Sequence, residues 1–594
     1  MLCGLVVVFV PGVPAWAEPA APPLALEVRL GFDGALKIGV PVPMEIRVPP
    51  LPFSGRAVLL VEAPALGPQA GTVTTSTAIS FEGIPGVART FHLPVIVSDI
   101  RRPLTIRVLH AGGEVFRRAI ALDPIRVGSR VIVAVSSAHG GLAFVHRLPG
   151  RVVAGEISEE ALPSVWQEYS GVDLLAVRDL DPARLDDAQR RALLTWIQMG
   201  GRLLLVVRPG ASVPEFLGPV LPADVGEPRT VSARDALAQR YGADLPAGPL
   251  VMTALAPHPG ADEVRAGGVP VIATAPAGWG RVTMWSFDPW EPPFRGGEGS
   301  LRLWADVLGS PPGPPSLVDA AAVASRLPDS PPLDPQVHVA VGAAVLGYVL
   351  LQYVLRRRLP STAGAVGGLV IACLGLGGFT ALAADVRNRS TALTQATFLE
   401  QAPAAPAARA LTVAVVAVPY GGPYLLRAPR DATAGPATSS GDLRLDLTGG
   451  TAILSGRLRA GESGRPFEAL GTVPLETSGT LSPDIRILRV DLRSYRLHRA
   501  QVLWRDRLYP LGDLPSGASV HELRPDVWVH VDGAAADDRV RAWIFRGSGG
   551  DAIMKATTPV LVGEMDGSAP AFAFAGTGAP GQRLTILLVP LARR

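Results

Sequence analysis

The 594-residue chain holds two cysteines, Cys3 and Cys373, and both fall in apolar segments. The polar parts of the sequence therefore carry no disulfide framework, no cysteine-based metal site and no cysteine nucleophile. Lysine is nearly absent, at Lys37 and Lys555 only, and Asn388 is the single asparagine. The basic residues are arginines almost throughout, and they exceed the acids by only +3. An excess that small does not mark a nucleic-acid-binding surface, although the isoelectric point is about 9.0. The nine histidines show neither H-x-x-x-H nor H-E-x-x-H spacing, so no metal centre is expected. No cofactor is expected either, because the glycine-rich Gly547–Gly550 lacks the Lys-Ser/Thr of a phosphate loop. Charged residues make up 18% against 48% hydrophobic, which excludes general disorder.

What is abundant is glycine, at 65, and proline, at 58, which excludes a compact all-helical protein and implies many turns and short strands. The mean hydropathy of +0.29 is high for a soluble protein and suggests membrane spans. Leu5–Val10 is an apolar run, and Ala15-Trp16-Ala17 fits a cleavage site before Glu18, so residues 1–17 are expected to be a signal peptide without a basic start. An uncleaved anchor is the alternative. Two uncharged apolar runs, residues 337–355 and 363–384, have the roughly 20-residue length of a membrane-spanning helix. Arg356, Arg357 and Arg358 lie between them and place that connection on the cytoplasmic side. Both flanks are then extracytoplasmic, at a bacterial cytoplasmic membrane. Gly364, Gly368 and Ala372 give the second run a small-residue stripe for helix packing, within the hairpin or against a membrane or envelope partner.

The expected fold class is a multidomain α/β plus all-β protein with transmembrane helices. Residues 26–125 carry about seven short β-like runs and read as an immunoglobulin-like β-sandwich without the Cys…Trp…Cys framework. Residues 130–310 change character. Val131–Val135 and Val172–Val177 read as buried parallel strands. Between Asp186 and Met199 apolar residues recur at helical spacing, with Asp186 as N-cap, Gln189 three residues on and Gly200-Gly201 as the stop. Arg202–Val207 continues as a strand, so the order strand–helix–strand predicts a doubly wound sheet. Residues 311–335 form a proline-rich linker. Residues 410–594 return to β-like runs and read as a C-terminal β-rich domain.

Residues 172–206, VDLLAVRDLDPARLDDAQRRALLTWIQMGGRLLLV, resemble the class I glutamine amidotransferase-like fold found in uncharacterised bacterial membrane proteins. The stretch AGWGRVTMWSFDPWEPPF is similar to a later strand of that domain. Catalytic members of the family use a cysteine at a nucleophile elbow, served by a histidine. Here Arg208-Pro209-Gly210 follows the strand and the region has no cysteine. The resemblance therefore implies a non-catalytic domain used for binding or assembly.

In an open parallel sheet, ligands bind beyond the carboxyl ends of the strands. Those ends present Ser136, Ser137 and His139 after the first strand, Asp179 and Asp181 after the second, Arg208 after the third and Asp288 after a late one. Ser136 or Ser137 with His139 and Asp288 is a nucleophile–base–orienter set in composition, without a GxSxG elbow. Asp179, Asp181 and Arg208 are the ligand-binding candidates. Trp279, Trp285, Trp290 and Phe294 suit either a sugar-stacking platform or core packing. The sequence thus points to a membrane-anchored extracytoplasmic binding or assembly protein, with a serine-type hydrolase or a glycan-binding ectodomain as the alternative.

Overall fold

The computed structural model describes residues 26–66, 72–122, 126–135, 141–232, 249–291, 298–309, 320–325, 392–402, 405–418, 421–429, 431–436, 443–447, 451–459, 465–505, 507–524, 526–530, 558–566, 571–574 and 579–593, with single positions between them. Strand accounts for 55% of the structure and helix for 14%.

The N-terminal region is two facing sheets. Glu27–Leu30, Pro41–Val48 and Arg89–Ile96 form a three-stranded antiparallel sheet. Gly55–Leu66, Thr72–Gly83, Leu104–His110 and Gly113–Ile120 pair antiparallel in the second. Alternation sets the core: Met44, Ile46 and Val48 point inward from one sheet to meet Leu59, Val61, Ile106 and Val108 of the other. The second sheet does not stop there. Leu443–Asp446 pairs parallel with Thr75–Ala78, and Ile453–Leu458, Gly422–Arg427 and Ala573–Phe574 follow. One eight-stranded sheet thus joins the two ends of the chain.

Residues 130–308 build a seven-stranded sheet in the order Val152–Ile157, Arg130–Val135, Leu174–Arg178, Arg202–Val206, Gly280–Trp285, Val269–Ala277, Asp262–Ala266. The first five strands are parallel and the last two antiparallel. Both faces are covered, which is why these strands are apolar throughout. Val131, Val133, Leu175 and Val177 pack on one side with Leu193, Trp196 and Ile197 of the helix Asp187–Gln198. Ile132, Ala134, Leu174 and Ala176 pack on the other with Leu303, Trp304 and Leu308 of the helix Glu298–Leu308. The first helix starts at a reciprocal cap. Asp186 Oδ1 accepts from Gln189 N at 2.7 Å, and Asp186 N donates to Gln189 Oε1 at 3.0 Å. Gly200 closes it at φ +124°.

The C-terminal region centres on a nine-stranded sheet in which Ala392–Gln401 and Ala407–Ala417 lie side by side. Ala392–Gln401 is buried along its whole length. Ala396 and Phe398 face a cluster with Val323 of the short helix Ala320–Ala324, while Leu399 and Leu393 face the opposite side.

The membrane expectation is corrected here. Among the described residues no helix is long and apolar enough to cross a membrane, and no two-helix hairpin is evident. Most of residues 337–355 and 363–384, with Gly364, Gly368 and Ala372, lies outside the described residues. The α/β plus all-β composite with transmembrane helices gives way to a strand-dominated fold. The high mean hydropathy has a second source: strands such as Ala392–Gln401 and Ala407–Ala417, buried on both faces. Apolarity alone does not separate burial in a sheet from burial in lipid.

The three regions contact one another at defined points. Phe32 and Ala35 of the sandwich join the core of the parallel sheet. Lys37 Nζ lies 2.6 Å from the buried Asp173, whose Oδ2 also accepts from Val131 N at 2.7 Å. Gly155 runs so close that an added Cβ would sit 2.1 Å from Phe32 O. Toward the C-terminal sheet, Arg409 Nε donates to the fully buried Glu400 at 2.7 Å, and Arg409 Nη1 reaches Met199 O at 3.4 Å.

Two outcomes follow. Arg409→Met removes the cation beside a buried carboxylate and should destabilise the chain by about 3–5 kcal/mol, while Glu400→Leu combined with Arg409→Met should recover most of it, as measured by denaturant unfolding. Gly155→Ala forces backbone apart and should cost about 1–3 kcal/mol in the same measurement.

Candidate functional site

The carboxyl ends of the parallel strands bring part of the expected set together. Asp179 sits just past its strand in a left-handed conformation, φ +54°. It accepts from Arg208 Nε at 3.1 Å, and Arg208 Nη2 makes a second contact. Asp288 Oδ1 accepts from Trp290 N at 2.9 Å, and Arg178 Nε lies 2.9 Å from Oδ2, off the hydrogen-bond axis. Arg178 Nη2 also donates to Glu291 at 2.6 Å. Burial pushes the Asp288 carboxyl up from its ordinary value. Arg178, Asp179, Arg208, Asp288 and Glu291 therefore form one network in which each acid meets an arginine. It braces the strand ends.

Asp181 lies apart from this network. Its Oδ1 accepts from Ala183 N at 2.9 Å, capping a short turn, and its own N–H donates to Glu159. Ser136, Ser137 and His139 lie outside the described residues. The aromatic platform is core: Trp285, Trp290 and Phe294 are buried, and only Trp279 is half-buried. Trp285 stacks on Phe287 and meets Trp304 edge-on, with ring centroids 5.3 and 5.6 Å apart. Among the described residues no group of three or more His, Cys, Asp or Glu is arranged to hold a metal ion.

A different site emerges where the sandwich docks on the parallel sheet. A cleft of about 840 Å³ opens between the strands Glu27–Leu30 and Pro41–Val48 on one side and Glu156–Ser164 on the other. That volume falls within the roughly 300–1,000 Å³ range of small-ligand sites. Val28, Leu30 and Ile120, each half-buried, supply apolar lining. Asp33, Glu45, Glu156, Glu160, Glu168 and Asp186 supply six carboxylates, against Arg29 and His92 as the basic groups.

Most of these acids have structural work. Asp33 pairs with Arg126 at 3.0 Å, Glu156 accepts from Leu142 N at 2.9 Å, Glu160 faces Arg184 at 3.4 Å, and Asp186 caps its helix. Glu168 differs. It is 5% exposed and meets no hydrogen-bond donor or cation among the described residues. Burial alone pushes its carboxyl up to about 7.

The neighbours of Glu168 impose this. It lies on the turn Trp166–Gly171. Gln167 Nε2 donates to Leu470 O at 2.9 Å and to Asp431 O at 3.2 Å, which ties the turn to the C-terminal sheet. Tyr169 is fully buried, donates to Pro163 O at 3.1 Å and packs against Phe32 and Trp196. Burial, with Glu168 beside it, raises the Tyr169 phenol well above its usual range. With both neighbours fixed, Glu168 is held at the cleft wall, 5% exposed. The sequence signal was slight: one acid among aromatics, in VWQEYSG, directly before an apolar strand.

The comparisons with known proteins are sparse. No family model matches the chain, and no curated protein matches it. No relative therefore bears on the amidotransferase-like reading of residues 130–310. Among solved structures, the chain is similar to an exo-β-1,4-mannosidase from Opitutaceae bacterium strain TAV5, at 16% identity over 30% of this chain and 36% of that one, with a TM-score of 0.21. A calcium-binding mutant of a Bacteroides uniformis β-glucuronidase matches at 11% identity over 32% and 24%, with a TM-score of 0.12. A glycosyl hydrolase family 2 member from Bacteroides cellulosilyticus matches at 8% identity over 92% and 78%, with a TM-score of 0.18. The chain spans about a third of the first and a quarter of the second. At TM-scores this low the likenesses define neither fold nor chemistry.

Glu168 makes stability pH-dependent. The folded carboxyl keeps its proton up to about 7, whereas the unfolded one releases it near 4.5. Stability should therefore fall as pH rises through that window, by about 3 kcal/mol in total. Glu168→Gln should flatten this slope and leave the chain more stable than the native protein at pH 8, as read from unfolding midpoints across pH.

Proposed function

We propose that this chain is an extracytoplasmic glycan-binding protein that seats its ligand in the cleft beneath the N-terminal sandwich. The observation that carries the reading is the composition of the cleft wall. Carboxylates accept hydrogen bonds and donate none when ionised. A wall rich in them therefore suits a ligand rich in donors, and sugar hydroxyls are such donors. The half-buried apolar side chains Val28, Leu30 and Ile120 beside them suit the C–H face of a sugar ring. A polyhydroxylated ring with one apolar face matches both requirements at once. The strand-end network has every acid on an arginine, whereas the cleft keeps the buried Glu168 without a cation among the described residues.

Isothermal titration of the full chain with neutral, amine-bearing and acidic oligosaccharides tests this. At least one class should bind, and Glu45→Ala should weaken that binding roughly tenfold through loss of one charge-assisted hydrogen bond. Absence of binding across all three classes would sink the reading. Binding that ignores the Glu45 change would move the seat out of the cleft.

A further inference from the structure

We infer that the cleft selects glycans that carry a free amine, with Glu168 as the counter-ion for the ammonium. The inference rests on the glycan-binding reading of the same cleft and narrows its ligand class. Two independent observations carry it. The cleft lining holds six carboxylates and two basic residues, Arg29 and His92, with Arg126 and Arg184 pairing Asp33 and Glu160 from outside it. Its one deeply buried acid, Glu168, is 5% exposed and has no cation or donor among the described residues, while most of the others are committed to helix caps, backbone or arginines.

A buried carboxylate without a partner is stabilised most by an opposite charge with hydrogen atoms to share. An ammonium brings both: one positive charge and three N–H donors. A neutral hydroxyl brings a single donor and no charge, and leaves the carboxyl protonated. A bare metal ion fits less well, because among the described residues the acids do not converge in a group able to hold one. The charge must therefore arrive on a larger body that also fills an 840 Å³ space lined partly by the half-buried Val28, Leu30 and Ile120. An amino sugar within an oligosaccharide satisfies both conditions. The proton balance is simple. Near pH 6 the Glu168 carboxyl holds a proton, the ammonium arrives already charged, and binding releases the carboxyl proton to solvent.

The decisive experiment compares one β-1,4-linked glucosamine trisaccharide with its fully N-acetylated form, titrated into the full chain by calorimetry at about pH 6. Repeating the titration in buffers of different ionisation heat counts the protons released. The expected result is at least a tenfold preference for the amine form, with close to one proton released. Glu168→Gln should abolish both the preference and the proton release while leaving binding of the N-acetylated form intact, which shows that the variant is folded. Equal affinity for the two forms would overturn the amine inference and leave the glycan reading standing. A preference that survives Glu168→Gln would place the amine elsewhere and overturn the role of Glu168. Failure of both sugars to bind would overturn this inference and count against the glycan reading, which the wider oligosaccharide titration then decides.

Discussion

The parallel pairing of Leu443–Asp446 with Thr75–Ala78 fixes the frame on which everything else hangs. It makes one sheet out of strands from both ends of the chain. The other contacts complete a triangle. Phe32 and the Lys37–Asp173 pair dock the sandwich on the parallel sheet. Arg409 on Met199 and Gln167 on Leu470 dock the parallel sheet on the C-terminal strands. Each region touches both others, so no single hinge lets one swing free. The cleft lies inside this triangle, with one wall from the sandwich and one from the parallel sheet.

Two buried acids show what such a frame permits. Glu400 is fully buried and answered by Arg409 on the neighbouring strand. Glu168 is nearly as buried and answered by nothing described. The first is ordinary practice for a charged group taken from water. The second persists because the residues flanking it are held by separate anchors, Gln167 by the C-terminal sheet and Tyr169 by the core. Stability is given up at one position, and the position opens on a cleft. Sites that break a local rule inside a well-braced structure are where function is to be sought.

The sequence made the local features legible and left the non-local ones hidden. The Asp186–Gln189 cap and the Gly200 stop are written in four-residue patterns, and the helix runs between them. Val131–Val135 and Arg202–Val206 are readable because a strand buried on both faces is apolar at every position. The same property misled the reading of hydropathy, since it resembles a preference for lipid. Strand ends placed Asp179 and Arg208 near one another, but nothing in the spacing said that they would neutralise each other. Trp285, Trp290 and Phe294 cluster in sequence because they fill one core, not because they line a surface. Glu168 left only a slight trace, because the turn that carries it is held through Gln167 by Leu470 and Asp431, some three hundred residues away.

That distance also has a cost in time. Thr75 and its partner Leu443 are separated by more than 360 residues of chain. At ribosomal rates of about 5–20 residues per second, the strand Thr72–Gly83 waits on the order of 20–70 s before its partner has been made. Meanwhile it is an open edge reading TVTTSTAISFEG, with Glu82 as its one charge and no proline or lysine to blunt it. Contacts this remote form late and slowly. The nascent sandwich is therefore a sticky half-sheet for most of its synthesis, a client for whatever shields β-edges until the last third of the chain arrives to close it.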